Sequence, residues 1–409
     1  MAFIDEIEIN FPLGSLDAFA RQRVSNPATI FDVKLTNDNR PLIFDDSQVS
    51  GSGTTSTYTA NTSSVTLSVA NVTAGRHIRQ TFRRFNYQSG KSQLIILTGV
   101  LGVPTSGNTK KVGYFDDGNG LFFDSTGATV GVNVRTFTTG AAVDTRIAQS
   151  AWNLDKMDGT GTSGVTLDFS KTQIFFFDFE WLGVGSVRFG FFVGGMPIYC
   201  HVVQNANVLT DVYMTTPNLP IRYEIENDGT GAADSLKQIC STVISEGGAP
   251  NMGAPISINR ANTTMQTGNN SNLHPLFAIR LASGFLSSTV QLNTFSIICT
   301  SSSAYEYFWI LDPTITGTAL SFTALANSSI EFDASRTSST SVTAGTGTVI
   351  NSGVGFQSNN GGTTVGFFRD EFALGSDISG TSQILVLAIR RVTGANERFY
   401  GGVNLTDQK

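Results

Sequence analysis

Residues 175–203 are Phe175-Phe-Phe-Asp-Phe-Glu-Trp-Leu-Gly-Val-Gly-Ser-Val-Arg-Phe-Gly-Phe-Phe-Val-Gly-Gly-Met-Pro-Ile-Tyr-Cys-His-Val-Val203, and this stretch decides the fold. Phenylalanine and β-branched residues favour the pleated, half-buried surface of a strand. The pair Gly194-Gly195 is typical of a two-residue hairpin turn, in which positive φ favours glycine. The stretch therefore predicts a meander of three antiparallel strands at residues 174–182, 186–193 and 196–203.

The first turn of this meander, Leu182–Ser186, sets the register of its two strands. If Val184 lies at the centre, Glu180 is opposite Arg188, and the two side chains form a cross-strand ion pair. Asp178 lies on the same face as Glu180, because side chains alternate along a strand. The register thus predicts two neighbouring carboxylates, of which Glu180 is paired.

The same composition extends over all 409 residues, which include 42 glycines and 30 phenylalanines. Charged residues make up 14%, against about 25% in ordinary soluble domains. Ser, Thr, Asn and Gly take their place, and these are poor helix formers. Short segments of strand character recur from residue 65 to 244 and from 276 to 403, with turn residues between most of them. This pattern predicts an all-β fold of tandem, jelly-roll-like β-sandwich domains.

The pattern divides the chain into four regions. Residues 1–48 are predicted to be an extended N-terminal docking arm, because prolines punctuate the segment and its apolar side chains, such as Phe11 and Phe31, need partners on the next domain or another subunit. The remaining regions are a jelly-roll β-sandwich at 49–250, a linker at 251–273 and a C-terminal β-sandwich at 274–409.

Charge and hydropathy argue against several kinds of partner. The net charge of −6 argues against nucleic acid, because neutralising phosphates needs clustered Lys and Arg. The longest apolar stretches, Leu94–Val103 and Ile174–Phe177, are shorter than the ~20 residues that span a bilayer, so no membrane segment is expected. The acidic N-terminus lacks the pattern of a signal peptide, which predicts a protein made in a cytoplasm. The scarcity of charge favours extensive contact with other proteins.

Asp178 and Glu180 are the best candidates for catalysis. Two carboxylates on one strand face can hydrolyse a glycosidic bond if they lie about 5–9 Å apart in a groove. Against this reading, Arg188 offers Glu180 a structural partner, and paired carboxylates more often serve ion pairs than catalysis. We found no nucleophile elbow, phosphate-binding loop or zinc-protease motif, so the chain is expected not to be an enzyme.

A short acidic turn is a weak candidate for binding calcium. Asp116, Asp117 and Asn119 lie in a Gly-rich loop, and calcium prefers six to eight oxygen ligands. An ordinary turn explains the same residues, since Asp, Asn and Gly dominate turns. No other cofactor is expected.

Arg79, Arg83 and Arg84 crowd one predicted strand. Because the patch is small and the chain acidic, an ion-pair site between subunits fits it better than nucleic acid. We therefore take Phe11, Phe31, Arg79, Arg83 and Arg84 as candidate interface residues.

Four segments resemble a family of virion structural proteins of tailed bacteriophages, often described as tail-fibre-like. They are Arg79-Gln-Thr-Phe-Arg-Arg-Phe-Asn-Tyr-Gln-Ser-Gly-Lys-Ser-Gln-Leu94, Trp152-Asn-Leu-Asp-Lys-Met-Asp-Gly-Thr-Gly161, Phe179-Glu-Trp-Leu-Gly-Val-Gly-Ser-Val-Arg-Phe-Gly-Phe191 and Ser241-Thr-Val-Ile-Ser-Glu-Gly-Gly248. The resemblance implies membership of the phage particle and supplies no catalytic residues. The meander itself looks like part of a concanavalin or laminin-G jelly roll, folds that often bind glycans through loops at one rim.

The first expectation is therefore a structural component of the virion, made in the host cytoplasm, whose partners are copies of itself and other virion proteins. The alternative is a receptor- or glycan-binding tail fibre or spike module that contacts a host surface glycan. A glycan hydrolase using Asp178 and Glu180 ranks third. Aromatic side chains and acidic loops converging on one rim favour the second reading.

Overall fold

The computed structural model describes residues 16–18, 21–23, 26–247, 253–260, 265–266, 271–300, 303–357, 364–367, 373–392 and 397–409. Its internal contacts divide the chain into two units. The first comprises Met1–Thr81 and Phe85–Pro250, and the second comprises Phe82–Arg84 and Asn251–Lys409. No helix within the described ranges is long and apolar enough to cross a membrane.

The first unit consists of two antiparallel sheets. Its strands are β1 (Ala28–Lys34), β2 (Phe44–Gly51), β3 (Thr54–Thr59), β4 (Ser64–Val69), β5 (Gly75–Thr81), β6 (Gln93–Val100), β7 (Asn108–Phe115), β8 (Gly120–Thr126), β9 (Thr129–Thr136), β10 (Val143–Ala148), β11 (Gln173–Phe179), β12 (Val187–Val193), β13 (Met196–Val203), β14 (Ile221–Asn227) and β15 (Asp234–Ser245). One sheet has the order β13-β12-β11-β6-β15-β4-β3, with β1 also on β15, and the other has the order β10-β9-β8-β7-β14-β5-β2. Single-turn 3-10 helices lie at Ala60–Thr62 and Gln149–Ala151.

Alternate residues of both sheets meet in one aromatic core. The ring of Phe123 on β8 lies 4.8–5.8 Å from four phenylalanine rings of the opposite sheet, at positions 175, 177, 189 and 191. Such contacts bury large apolar area and fix the two layers against each other. The predicted all-β sandwich fold is confirmed.

The predicted meander is present as β11, β12 and β13, but its register differs from the prediction. Asp178, and not Glu180, pairs with Arg188. The N–H of Glu180 donates to Ser186 O at 3.1 Å and that of Gly185 donates to Trp181 O at 2.8 Å. These bonds centre the turn one residue earlier than Val184 and move every cross-strand partner by two. The predicted Glu180–Arg188 pair is therefore wrong.

The N-terminal region is only partly the extended arm that the sequence predicts. Within residues 1–48, β1 pairs with β15 and β2 pairs with β5, and Val33, Leu35 and Phe44 are buried in the first unit. Residues 28–48 thus pack along the following sandwich, which is one of the two alternatives left open above.

The second unit is also built from antiparallel sheets. Its strands are β16 (Ala254–Asn259), β17 (Met265–Gln266), β18 (His274–Leu281), β19 (Thr289–Cys299), β20 (Ser303–Leu311), β21 (Ile315–Gly317), β22 (Thr323–Ala324), β23 (Ile330–Asp333), β24 (Thr340–Val342), β25 (Thr348–Gln357), β26 (Thr364–Phe367), β27 (Leu385–Arg391) and β28 (Arg398–Gln408), with a 3-10 turn at Ser283–Phe285. One sheet has the order β16-β28-β19-β26 with β17 also on β28, another has the order β22-β23-β18-β27-β20-β25, and β21 pairs with β24.

The core of this unit includes Phe277, Phe295 and Trp309, all fully buried or nearly so. The predicted linker 251–273 is not wholly a linker, because β16 and β17 lie within it and pair with β28.

Candidate functional site

Asp178 is the centre of an internal ion network. Nη2 atoms of Arg188 and Arg23 donate to its Oδ2 at 2.6 and 2.5 Å, and the hydroxyl of Ser92 donates to its Oδ1 at 2.8 Å. The side chain is fully buried. With both oxygens bonded inside the chain, Asp178 lacks the approach to substrate that a nucleophile or general acid needs.

An N-terminal segment, residues 16–18 and 21–23, contributes to this enclosure. The carbonyl of Leu16 accepts from Arg188 at 3.0 Å, and that of Ala18 accepts from the Ser186 hydroxyl at 2.9 Å. Arg23 bonds both Asp178 and Glu246. The segment thus packs against the carboxylates through backbone and side-chain bonds.

Glu180 lies at the end of β11 and has different partners. Its Oε1 accepts from the Ser186 N–H at 3.2 Å. Burial raises the pKa of Glu180, a property that suits a general acid. Glycoside hydrolysis needs a second, accessible carboxylate, and Asp178 in this arrangement is not accessible.

One carboxylate oxygen of each aspartate in the predicted calcium loop has partners within the chain. Oδ1 of Asp116 accepts from the N–H groups of Gly118 and Asn119 at 2.8 and 2.9 Å. Asp117 pairs with Arg222 at 2.6 Å and Arg76 at 3.2 Å, so two cations already occupy its surroundings.

Asn119 likewise bonds Thr215 through both its amide oxygen and its amide nitrogen. Oδ1 of each aspartate and the side-chain amide of Asn119 thus have partners within the chain, and calcium binding by this loop stays a prediction. Within the described ranges, no three His, Cys, Asp or Glu side chains cluster as metal ligands.

Arg79 is fully buried inside the first unit. Its Nε donates to Gln238 Oε1 and its Nη1 to Asp46 Oδ2, both at 2.6 Å, and its Nη2 donates to the carbonyl of Asn39. The guanidinium is therefore engaged within the chain.

The other interface candidates within the described residues have partners of their own. Phe31 packs against the first core, with its ring 4.7 Å from that of Phe85. Arg83 and Arg84 belong to the second unit, where Arg84 donates to the Ser376 hydroxyl at 2.5 Å. Phe11 lies outside the described residues.

A charge cluster around the buried Glu224 lies on the seven-stranded sheet. We call it the charged face, and it comprises Arg76, Lys111, Asp117, Arg222 and Glu224. Oε1 of Glu224 accepts from Lys111 at 3.0 Å, and its Oε2 accepts from Arg76 at 2.9 Å. Arg222 bridges to Asp117. Burial by itself raises the pKa of Glu224, but these cations hold it well below the ordinary value. The cluster pairs three cations with two carboxylates, and its ion pairs connect β5, β7 and β14.

A cavity of about 330 Å³ opens at one end of the first sandwich, and we call it the rim pocket. Its apolar lining includes Pro104, Val130 and Phe169. Its polar lining includes Gln149, Ser150 and Asp158. These residues come from the start of β9, from the end of β10 and the 3-10 turn after it, and from three loops, so the pocket is assembled from segments that are separate in the sequence.

Strand β25 is the terminal strand of the six-stranded sheet, and it pairs only with β20 among the described strands. Its sequence, Thr-Val-Ile-Asn-Ser-Gly-Val-Gly-Phe-Gln, contains no charged residue and no proline. Val349, Val354 and Phe356 are 51%, 74% and 66% exposed. Edge strands normally carry charge, proline or a covering segment that prevents pairing with other chains, and this strand lacks the first two.

No family model and no curated protein matches the chain. Among solved structures, it is similar to peanut lectin (10% identity, TM-score 0.32, covering 54% of this chain and 98% of the lectin). It is also similar to Bacillus licheniformis β-glucanase (12%, 0.31, 54% and 98%) and to a legume lectin-like domain from Entamoeba histolytica (9%, 0.31, 54% and 98%). At these scores the likeness carries no argument about activity or ligand. Membership of the phage virion family stays a prediction.

Sequence reasoning missed the charged face and the rim pocket. The alternation of Arg222, Glu224 and Glu226 with apolar residues was a signal for charges on one face of a single strand. The pocket had no such signal, because its walls come from separate segments between residues 104 and 169 whose meeting depends on the order of strands.

Proposed function

We propose that this chain is a non-catalytic structural protein of a tailed-phage particle, which assembles with copies of itself through the edge of β25. The observation that carries the proposal is a ten-residue edge strand without charge, on which Val349, Val354 and Phe356 are largely exposed. An exposed apolar edge is a ready template for pairing with another chain.

A second copy is the occupant that fits this edge. Two copies of one strand pair antiparallel across a two-fold axis, so the same surface serves on both sides. A pairing centred on Gly355 places Val354 of each copy opposite Phe356 of the other, an aromatic–aliphatic pair of the kind that stabilises sheets. Although the chain has a net charge of −6, this strand brings no like charges together.

The state of Asp178 supports a role without chemistry. The carboxylate is fully buried and bonded to two arginines and a serine, an arrangement that stabilises structure but offers no open ligand position. The place on a phage particle rests on the sequence resemblance of residues 79–94, 152–161, 179–191 and 241–248.

Substitutions at the edge test the assembly step. We expect the wild-type chain to sediment as an oligomer at micromolar concentration, and Val354→Lys and Phe356→Lys to sediment as monomers, because each lysine would place a charge opposite an apolar side chain of the other copy. Val208→Lys is the matched control, since Val208 is 69% exposed in a loop of the first unit. A monomeric wild type, or lysine variants that associate as the control does, would overturn the proposal.

The particle assignment has its own test. Antibodies against the purified chain are expected to label intact phage particles in electron micrographs, with a copy number that is a multiple of the oligomer. Absence of the chain from purified particles would refute membership even if the oligomer forms.

A further inference from the structure

We infer that His201 is a pH-sensitive latch, and that its protonation releases residues 153–155 from the edge of β13. We call these three residues the edge cover. The edge cover and β13 belong to the first unit, whereas β25 belongs to the second. The inference therefore goes beyond assembly through β25, and the two are tested separately.

Strand β13 is the terminal strand of the eight-stranded sheet, and it pairs only with β12 among the described strands. The edge cover supplies hydrogen-bonding partners on its other side, in the place of a further strand. The side chain of Asn153 accepts from the N–H of Val202 and donates to its carbonyl, both at 2.9 Å. The N–H groups of Leu154 and Asp155 donate to the carbonyl of Cys200 at 3.1 and 3.2 Å. An edge covered in this way is protected against pairing with another chain.

One further bond of the edge cover depends on the protonation state of a side chain. The backbone N–H of Asn153 donates to Nδ1 of His201 at 3.2 Å. Because a backbone N–H only donates, Nδ1 is the unprotonated nitrogen of a neutral ring that carries its proton on Nε2. A proton added to Nδ1 places two donors face to face, and the bond is lost. The neutral ring therefore holds the edge cover, and the imidazolium form does not.

The position of His201 in the sheet favours the neutral ring. His201 is only 7% exposed, and this burial lowers its pKa. Its partner across the sheet, on β12, is the apolar Phe189. The charged residue of β12, Arg188, is paired with Asp178 at 2.6 Å. Strand β12 thus brings no carboxylate that would stabilise an imidazolium.

The charged residues of the edge cover and of the loop after it also have other surroundings. The carboxylate of Asp155 accepts from the N–H groups of Met157 and Ser163, at 2.8 and 2.7 Å. Lys156 and Asp158 are exposed, where solvent screens their charges. The loss of hydration on burial therefore sets the direction of the pKa shift of the ring.

The lowered pKa fixes the direction of the pH response. When the edge cover is released, the ring titrates near its ordinary pKa of 6.5, whereas in the covered form it titrates below this value. The released form therefore binds the proton more readily, and it gains population as the pH falls below 6.5. Each pH unit shifts the equilibrium by up to about tenfold, until the covered ring itself titrates. Above pH 6.5 both forms are neutral, and the edge cover stays in place.

Amide hydrogen exchange of the full chain measures the release. Protection factors, which are corrected for the intrinsic effect of pH, are expected to fall about fivefold or more between about pH 7.5 and about pH 5.5 for the N–H groups of Leu154, Asp155 and Val202. Those of β6, in the interior of the same sheet, are expected to stay unchanged. No fall in the edge cover, or an equal fall in β6, would overturn the inference.

Substitution of the ring tests whether His201 causes the response. His201→Gln keeps an acceptor oxygen but does not titrate, so it is expected to remove the fall in protection. His77→Gln is the matched control, because His77 is a second buried histidine of the first unit, on β5, and bonds Asp46 at 2.8 Å. The control should keep the wild-type fall. A fall that survives in His201→Gln, or that disappears equally in both variants, would count against the latch.

The tautomer of His201 gives a second, independent readout. The sequence contains three histidines, so nitrogen-15 NMR of the imidazole rings is simple to assign. At about pH 7.5 the ring of His201 is expected to carry its proton on Nε2, with Nδ1 unprotonated. A ring protonated on Nδ1 would be unable to accept from Asn153, and this result would refute the inference whatever the exchange data show.

Discussion

Which of the two acids, Asp178 or Glu180, pairs with Arg188 depends on a one-residue difference in the centre of the turn between β11 and β12. The loop after β11 closes around Gly183, whose φ is +80°, and this brings Arg188 to Asp178 and leaves Glu180 bonded to Ser186. Glycine adopts such a φ without the steric cost that a side chain adds. A turn centred on Val184 would have placed Arg188 opposite Glu180. The amino-acid composition alone therefore does not identify which acid forms the ion pair.

Removing the charge of Asp178 tests whether that residue is structural. We expect Asp178→Asn to lower the free energy of unfolding by about 3–5 kcal/mol, because Arg188 loses the anion that compensates its burial and Arg23 keeps only Glu246. Denaturant unfolding measures the change, and Glu180→Gln serves as the comparison with a much smaller effect. A stable Asp178→Asn protein that has lost a glycan-cleaving activity of the wild type would instead establish catalysis.

At the scale of elements, the charged face makes the seven-stranded sheet sensitive to acid. Because the pKa of Glu224 is lowered in the folded state, its contribution to stability is complete above the ordinary value of 4.5 and is lost as the pH falls below it. We expect Glu224→Gln to destabilise the protein by about 3–5 kcal/mol at pH 7, since Lys111 is left without its anion and Arg76 keeps only the exposed Asp117.

The same variant is expected to reduce the fall in stability below pH 4.5, which unfolding curves at several pH values measure. Glu226→Gln provides the control on the same strand and face, because Glu226 forms no ion pair with the described residues. If both variants keep the wild-type slope below pH 4.5, the acid sensitivity does not arise from the charged face.

Elements with a local signal were predictable, and those made by distant pairing were not. The strands of the meander follow from their phenylalanines and from Gly194-Gly195, and the structure places them within a few residues of the prediction. β1 and β16 lacked such a signal, because each is defined by its partner far along the chain, β15 and β28 respectively. The rim pocket was unpredictable for the same reason, since non-local pairings assemble it.

For the whole molecule, the separate main cores of the two units predict that the units unfold as two cooperative transitions. Phe123 lies at the centre of the first aromatic core, and Phe295 packs against Tyr307 and Trp309 in the second, with ring centroids 5.1 and 5.6 Å away. Removing either ring leaves a cavity, which lowers the free energy of unfolding by about 3–5 kcal/mol. In differential scanning calorimetry, Phe123→Ala should lower the temperature of one transition and Phe295→Ala that of the other, so each variant is the control for its counterpart. A single transition that both substitutions shift equally would mean that the two sandwiches fold as one cooperative unit, in spite of their separate cores.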